Sequence, residues 1–96
     1  MALRDTGGPA AKATAAQRLE AKYDFYTWFL RQGYEPLVRV RGDNAEIMDV
    51  TNELFTRVTV QRFVDQGTLA KEARRLGFKY IDFYDVRGEA LGRITP

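Results

Sequence analysis

The hydrophobic pattern of the chain changes period several times, and the sharpest change falls at Gly77. Leu69, Ala73 and Leu76 recur at i, i+4 and i+7 with Ala70 beside them, while Lys71, Arg74 and Arg75 fall opposite. That spacing predicts an amphipathic helix. Thr68 is placed to cap its start, and Gly77 stands where a left-handed residue closes a helix, with Phe78 folding back on the last turn. Beyond Gly77 the period drops to two. Ile81 and Phe83 point one way and Tyr80, Asp82 and Tyr84 the other, the alternation of a strand rich in aromatic and β-branched residues. Asp85-Val86-Arg87-Gly88 reads as a turn, and residues 90–94 as a short returning strand.

The first half divides in the same way. Residues 1–10 carry Gly and Pro among polar residues and read as a flexible tail. Residues 11–32 predict a long helix ending at Gly33, with Leu19, Tyr23, Tyr26 and Leu30 on one apolar face and Phe25 and Phe29 widening it. Trp28 falls on the other side, among Asp24, Arg31 and Gln32. Such a Trp is either covered by the loop before Pro36 or by the last strand, or it is a docking hot spot. Residues 37–41 and 45–50 predict a hairpin around Gly42-Asp43-Asn44. Val38, Val40, Met48 and Val50 would face the core; Leu37, Arg39, Arg41, Ile47 and Asp49 would share the other face. Arg41-Gly42-Asp43 matches a tripeptide that adhesion receptors read, but Gly and Asp are also what tight turns use. Residues 52–65 are two-sided. Asn52-Glu53 suggests a helix start and Val60, Phe63 and Val64 a helical stripe, whereas residues 57–61 alternate like a strand; a short helix ending near Asp65 and broken at Gly67 fits better.

The sum is one α+β domain over residues 11–96, ordered α-β-β-α-β-β, with helices on one face of a small antiparallel sheet. Its expected core is Leu19, Tyr26, Phe29, Leu30, Val38, Val40, Met48, Val50, Leu69, Ala73, Leu76, Phe78, Ile81 and Phe83. A chain of 96 residues buries only about two-thirds of its unfolded surface, so its 12 aromatic residues (6 Phe, 5 Tyr, 1 Trp) carry much of the apolar area.

Composition narrows the chemistry. With no Cys and no His, disulfides, thiolate metal sites, a Cys nucleophile and the commonest general base are all excluded. There is no glycine-rich phosphate loop and no metal-spaced cluster, so neither cofactor nor metal is expected, and the chain reads as a non-enzyme. Asp49 and Asp82 could share a sheet face as an acid–base pair, but cross-strand pairing with Arg39 and Arg41 is the ordinary reading. The 15 basic and 13 acidic residues permit nucleic-acid contact without demanding it. No apolar run approaches the roughly 18 residues of a membrane span, and residues 1–17 lack the apolar segment of an export signal. A cytoplasmic location is expected, with an exported domain whose signal is missing as the alternative.

Two resemblances follow from these patterns. Gly77, Phe78, Lys79, Ile81, Phe83, Asp85 and Gly88 form a signature that resembles one closing a group of small bacterial α+β domains of uncharacterised function. The likeness extends over residues 18–94 and implies a fold, without an activity. Residues 68–86 also resemble a helix-turn-helix, with Ala73 four positions before Gly77 and then Phe78, Phe83 and Val86 where that motif has apolar residues. That would make residues 80–85 a recognition helix, although Asp82 and Asp85 would then face phosphates and Glu72 occupies a usually apolar place.

The expected role is a non-catalytic protein-interaction or self-associating module. Leu37, Arg39, Arg41, Ile47, Tyr80 and Tyr84 would form its open sheet face, and Trp28 a second contact. The alternative is nucleic-acid binding, through Lys71, Arg74, Arg75 and Lys79 on the basic helix or through Arg and Tyr on the sheet.

Overall fold

A computed structural model describes residues 13–96; the expected flexible tail and the first two residues of the expected first helix lie outside the described residues. The elements are α1 (Ala15–Arg31), β1 (Leu37–Arg41), β2 (Ile47–Thr51), α2 (Arg57–Gln66), α3 (Thr68–Leu76), β3 (Tyr80–Tyr84) and β4 (Ala90–Ile94). The α+β architecture and element order match the sequence reading, and the helical part between β2 and β3 is a pair of short helices. The sheet runs β1-β2-β3-β4. Its outer pairs are antiparallel, but β2 and β3 are parallel, so the sheet is mixed. The reason is the connection. A hairpin reverses the chain in a few residues, whereas a parallel return needs a dozen or more, and α2 and α3 supply them.

Residues 57–61 resolve as helix in spite of their alternating, β-branched sequence. Thr56 and Thr59 form a reciprocal cap, with Thr56 Oγ1 accepting from Thr59 N–H at 3.2 Å, so the start lies at Thr56 and not at Asn52. Asn52 instead shapes the preceding turn, accepting from Leu54 N–H at 2.8 Å and donating to the Glu35 carbonyl at 3.1 Å. Gly67, at φ +75°, ends α2 and serves as N-cap of α3, so Thr68 is the first helical residue and not the cap. Gly77 closes α3 at φ +84°, and Phe78 N–H reaches back to the Ala73 carbonyl at 2.9 Å, as the sequence predicts.

The core lies between the three helices and one sheet face. Phe63 of α2 is its hub, with ring centroids 5.5–5.9 Å from Trp28, Phe29, Tyr34, Phe55 and Phe83, mostly in the edge-to-face geometry aromatic rings prefer. The chief correction concerns α1. It buries Ala21, Phe25, Trp28 and Phe29, while Leu19 and Leu30, expected inside, are exposed and Tyr26 is half-buried. The helix carries two apolar stripes on roughly opposite sides, and the core takes the one with the bulkier, hydroxyl-free rings. Trp28 is only 5 % exposed, packed on Phe29 and on Phe63 of α2, so it is a core residue and not a docking contact. Residues 80–84 are a buried-centre strand, which removes the recognition helix and with it the helix-turn-helix reading.

Candidate functional site

The helices cover one sheet face, and the residues of the other face fall in straight cross-strand rows. The middle row reads Arg39, Asp49, Asp82, Arg93, each opposite the next in register. Two carboxylates therefore lie side by side on the parallel central strands, and two guanidiniums on the outer ones. Arg41, one row over, ties both acids together. Its Nε donates to Asp49 Oδ2 at 2.7 Å and its Nη2 to Asp82 Oδ2 at 3.1 Å. Arg93 holds Asp82 with two bonds, at 2.6 Å and 3.1 Å, and its guanidinium carbon lies 3.9 Å over the Tyr80 ring. Such bidentate, ring-stacked pairing is what the flat guanidinium does best. The hydrogen bond to Asp49 raises the Arg41 pKa above its ordinary value, and the hydrogen bond to Asp82 does the same for Arg93.

The sequence reading brought Arg39, Arg41, Ile47, Tyr80, Tyr84 and Leu37 to this side, and the structure brings them there. It distributes the charge differently. Asp49 faces Arg39 in register but gives its carboxylate to Arg41, and Arg39 makes no ion pair or side-chain hydrogen bond among the described residues. Arg93 was missed; its place opposite Asp82 depends on a register that a bulge at Phe83/Tyr84 interrupts. The expected basic patch on α3 is weakened from within. Arg75 lies 3.0 Å from Glu72 and Lys79 3.1 Å from Glu46, which leaves Lys71 and Arg74 as its exposed cations beyond those pairs. Among the described residues no group of three or more acidic side chains is arranged to hold a metal ion, and no helix is long and apolar enough to cross a membrane.

A second surface joins the open face at the β1 edge. The unused stripe of α1 exposes Leu19, Leu30 and Tyr23, the last to 64 %, and Leu37 of β1 is 52 % exposed. Between helix and strand lies a groove of about 250 Å³ lined by Lys22, Tyr23, Tyr26, Pro36, Leu37 and Val38. The Tyr26 hydroxyl on its rim donates to Glu35 at 3.2 Å. Partial burial, and then the Glu35 carboxylate, push its pKa up, so it stays a neutral donor. Neither Tyr23 nor Tyr26 was read as a surface residue, because both sit at helical spacing with leucines and look like core. Comparison with protein-family models, curated proteins and solved structures finds no match for this chain.

Proposed function

We propose that this domain is a non-catalytic protein-interaction module that docks its partner along the α1–β1 side. The observation that carries the reading is the second apolar stripe of α1. Leu19, Tyr23 and Leu30 lie outside the core, and Tyr23 also lines the groove beside Leu37. Clustered exposed apolar side chains rimmed by charge mark interaction surfaces far more than scattered ones do. The acids of the open face support the same reading over a catalytic one, since Asp49 is paired with Arg41, and Asp82 with both Arg41 and Arg93. Nucleic acid ranks below protein for a related reason. Arg93 covers the Tyr80 ring on which a base would stack, and two carboxylates sit between the arginines that phosphates would need.

The test is affinity selection of a random-peptide display library on the folded domain, with the binders mapped by amide chemical shifts. Selected peptides should shift α1 stripe and β1 resonances. Failure to enrich any binder, together with a low-salt interaction of single-stranded oligonucleotides centred on α3, would overturn the reading in favour of the nucleic-acid alternative. Light scattering on the isolated domain detects the case in which a second copy is the partner.

A further inference from the structure

The edge of the sheet narrows the kind of partner. Among the described residues two strands have a free side, β1 and β4. A bulge interrupts the pairing of β4, and such irregularity blunts an edge against further strands. β1 has no such device in its pairing: all five of its residues pair in continuous register with β2, so alternate N–H and C=O groups along its outer side point away in an even row. Beside that row lies the groove between α1 and β1. On the opposite sheet face stands Arg39, which makes no ion pair among the described residues.

From this combination the geometry points to strand addition on β1 by an extended segment of another protein, one that alternates acidic and apolar residues. The inference rests on the interaction-module reading above and specifies its partner. Side chains of an added strand alternate between the two faces. Those on the helix side would enter the groove beside Tyr23, Tyr26 and Val38, and apolar residues fit there. Those on the open face would stand next to Leu37, Arg39 and Arg41. Arg41 is already committed to Asp49 and Asp82, so Arg39 sets the preference for a carboxylate. Main-chain hydrogen bonds would supply affinity and the alternating side chains specificity, as in other edge-strand recognition. A second copy of this chain is a poor occupant. Antiparallel pairing of β1 with itself about Arg39 sets arginine against arginine and Leu37 against Arg41, and within residues 37–41 no register offers either arginine a carboxylate. Like charges directly opposite are destabilising.

The experiment uses three synthetic hexapeptides titrated into the isotope-labelled domain: alternating Glu-Val, alternating Lys-Val, and the Glu-Val peptide N-methylated at alternate backbone nitrogens. The Glu-Val peptide should slow hydrogen exchange at the outward-facing amides of β1 and shift groove resonances. It should bind at least tenfold more tightly than either control, and more weakly as salt rises. Arg39→Glu should reverse the preference between the Glu-Val and Lys-Val peptides without changing the thermal midpoint. Equal binding of the two charge variants, no protection of β1 amides, or protection on β4 would overturn the inference. Its failure is separable from that of the broader reading. Library-selected peptides that shift the α1 stripe while leaving β1 exchange unchanged would refute strand addition and keep the interaction module; absence of any peptide binder, together with the low-salt oligonucleotide interaction centred on α3, would refute both.

Discussion

Gly92 is a sharp probe of how closely α2 lies on the sheet. It sits on the core face of β4, opposite Phe83, and a Cβ placed there would come within 2.8 Å of Val60 Cγ1 on α2. Carbon atoms at rest stand about 3.5–4.0 Å apart, so Gly92→Ala must open the α2–β4 contact by roughly 1 Å. Val60 cannot simply rotate away, because a β-branched side chain in a helix is nearly confined to one rotamer, and the next turn of α2 carries Phe63, hub of the aromatic cluster. Overpacking of this kind costs about 1–3 kcal/mol. Against that, Ala restricts the unfolded chain more than Gly does, which returns about 0.4–1 kcal/mol. The net expectation is a loss of about 1–2 kcal/mol, a fall in thermal midpoint of roughly 5–15 °C for a domain of this size.

Val60→Ala distinguishes overpacking from any other cause. Alone, it removes two buried methyl groups and should cost about 2 kcal/mol. In the double variant the new methyl at position 92 enters the space that Cγ1 vacated, and its one remaining neighbour within 4 Å is the Cβ of residue 60, at an ordinary 3.7 Å. The pair should then be more stable than the sum of the single effects by about 1–2 kcal/mol, read by urea unfolding at constant slope. If Gly92→Ala is neutral, or the two changes add, the close packing of α2 on β4 is wrong.

Substitutions at three further positions test the electrostatics. Arg18 donates to the carbonyls of Ala13, Asn44, Ala45 and Leu76 at 2.7–3.2 Å, joining the start of α1, the β1–β2 turn and the end of α3; Arg18→Ala should cost about 2–3 kcal/mol in urea unfolding, and Arg18→Lys should not restore it, since one ammonium cannot span all three elements. Asp82→Ala should cost about 2 kcal/mol, less than the 3–5 kcal/mol of a wholly buried pair, because the Asp82 side chain is 7 % exposed but those of Arg41 and Arg93 are 47 % and 50 % exposed and can rehydrate; an effect under about 0.5 kcal/mol would mean the lattice is only a surface feature. Asp85 accepts from the backbone N–H groups of Glu89 and Arg87 at 3.0 Å and 2.9 Å, and these bonds, that to Glu89 foremost, hold its carboxyl below the usual aspartate range. A depressed carboxyl stabilises the fold above its unfolded pKa of about 3.9 and loses that contribution as pH falls further. Asp85→Asn keeps an acceptor and loses the proton, so its stability should decline less than that of the native chain below about pH 4; parallel declines would refute the assignment.

What the sequence made legible follows from how each feature is written in it. The faces of β1, β2 and β3 were readable because a one-residue slip would send Val38, Met48 or Phe83 to the solvent side. The end of α3 was readable because Gly77 and Phe78 act within a few residues of chain. Arg18 was invisible, since the groups it binds are backbone carbonyls that carry no side-chain signature. Arg93 was hidden by the bulge that separates it from a simple count back from Asp82. The parallel central pair was hidden because strand direction depends on how far residues 52–79 carry the chain, and no residue type encodes that. The face of α1 was misjudged for another reason: two stripes have helical spacing, and only packing against Phe63 and Phe83 selects between them.

That ambiguity is itself the argument for a docking surface, and it can be tested apart from any partner. A helix with one apolar stripe buries it in its own core. Helix α1 has a second, and Leu19, Tyr23 and Leu30 remain 47 %, 64 % and 44 % exposed. If the stripe serves a partner, polar replacement should leave the isolated domain as stable as before. Gln suits the purpose, because its helix propensity is close to that of Leu. Leu19→Gln, Tyr23→Gln and Leu30→Gln should each change the unfolding free energy by less than about 0.5 kcal/mol, while weakening whatever peptides the native domain selects. Core positions on the same helix supply the contrast: Phe25→Ala and Phe29→Ala should each cost about 3–5 kcal/mol. Losses above about 1 kcal/mol at Leu19, Tyr23 and Leu30 would mean that the stripe supports the fold of this chain, and the case for a partner on α1 would fall with it.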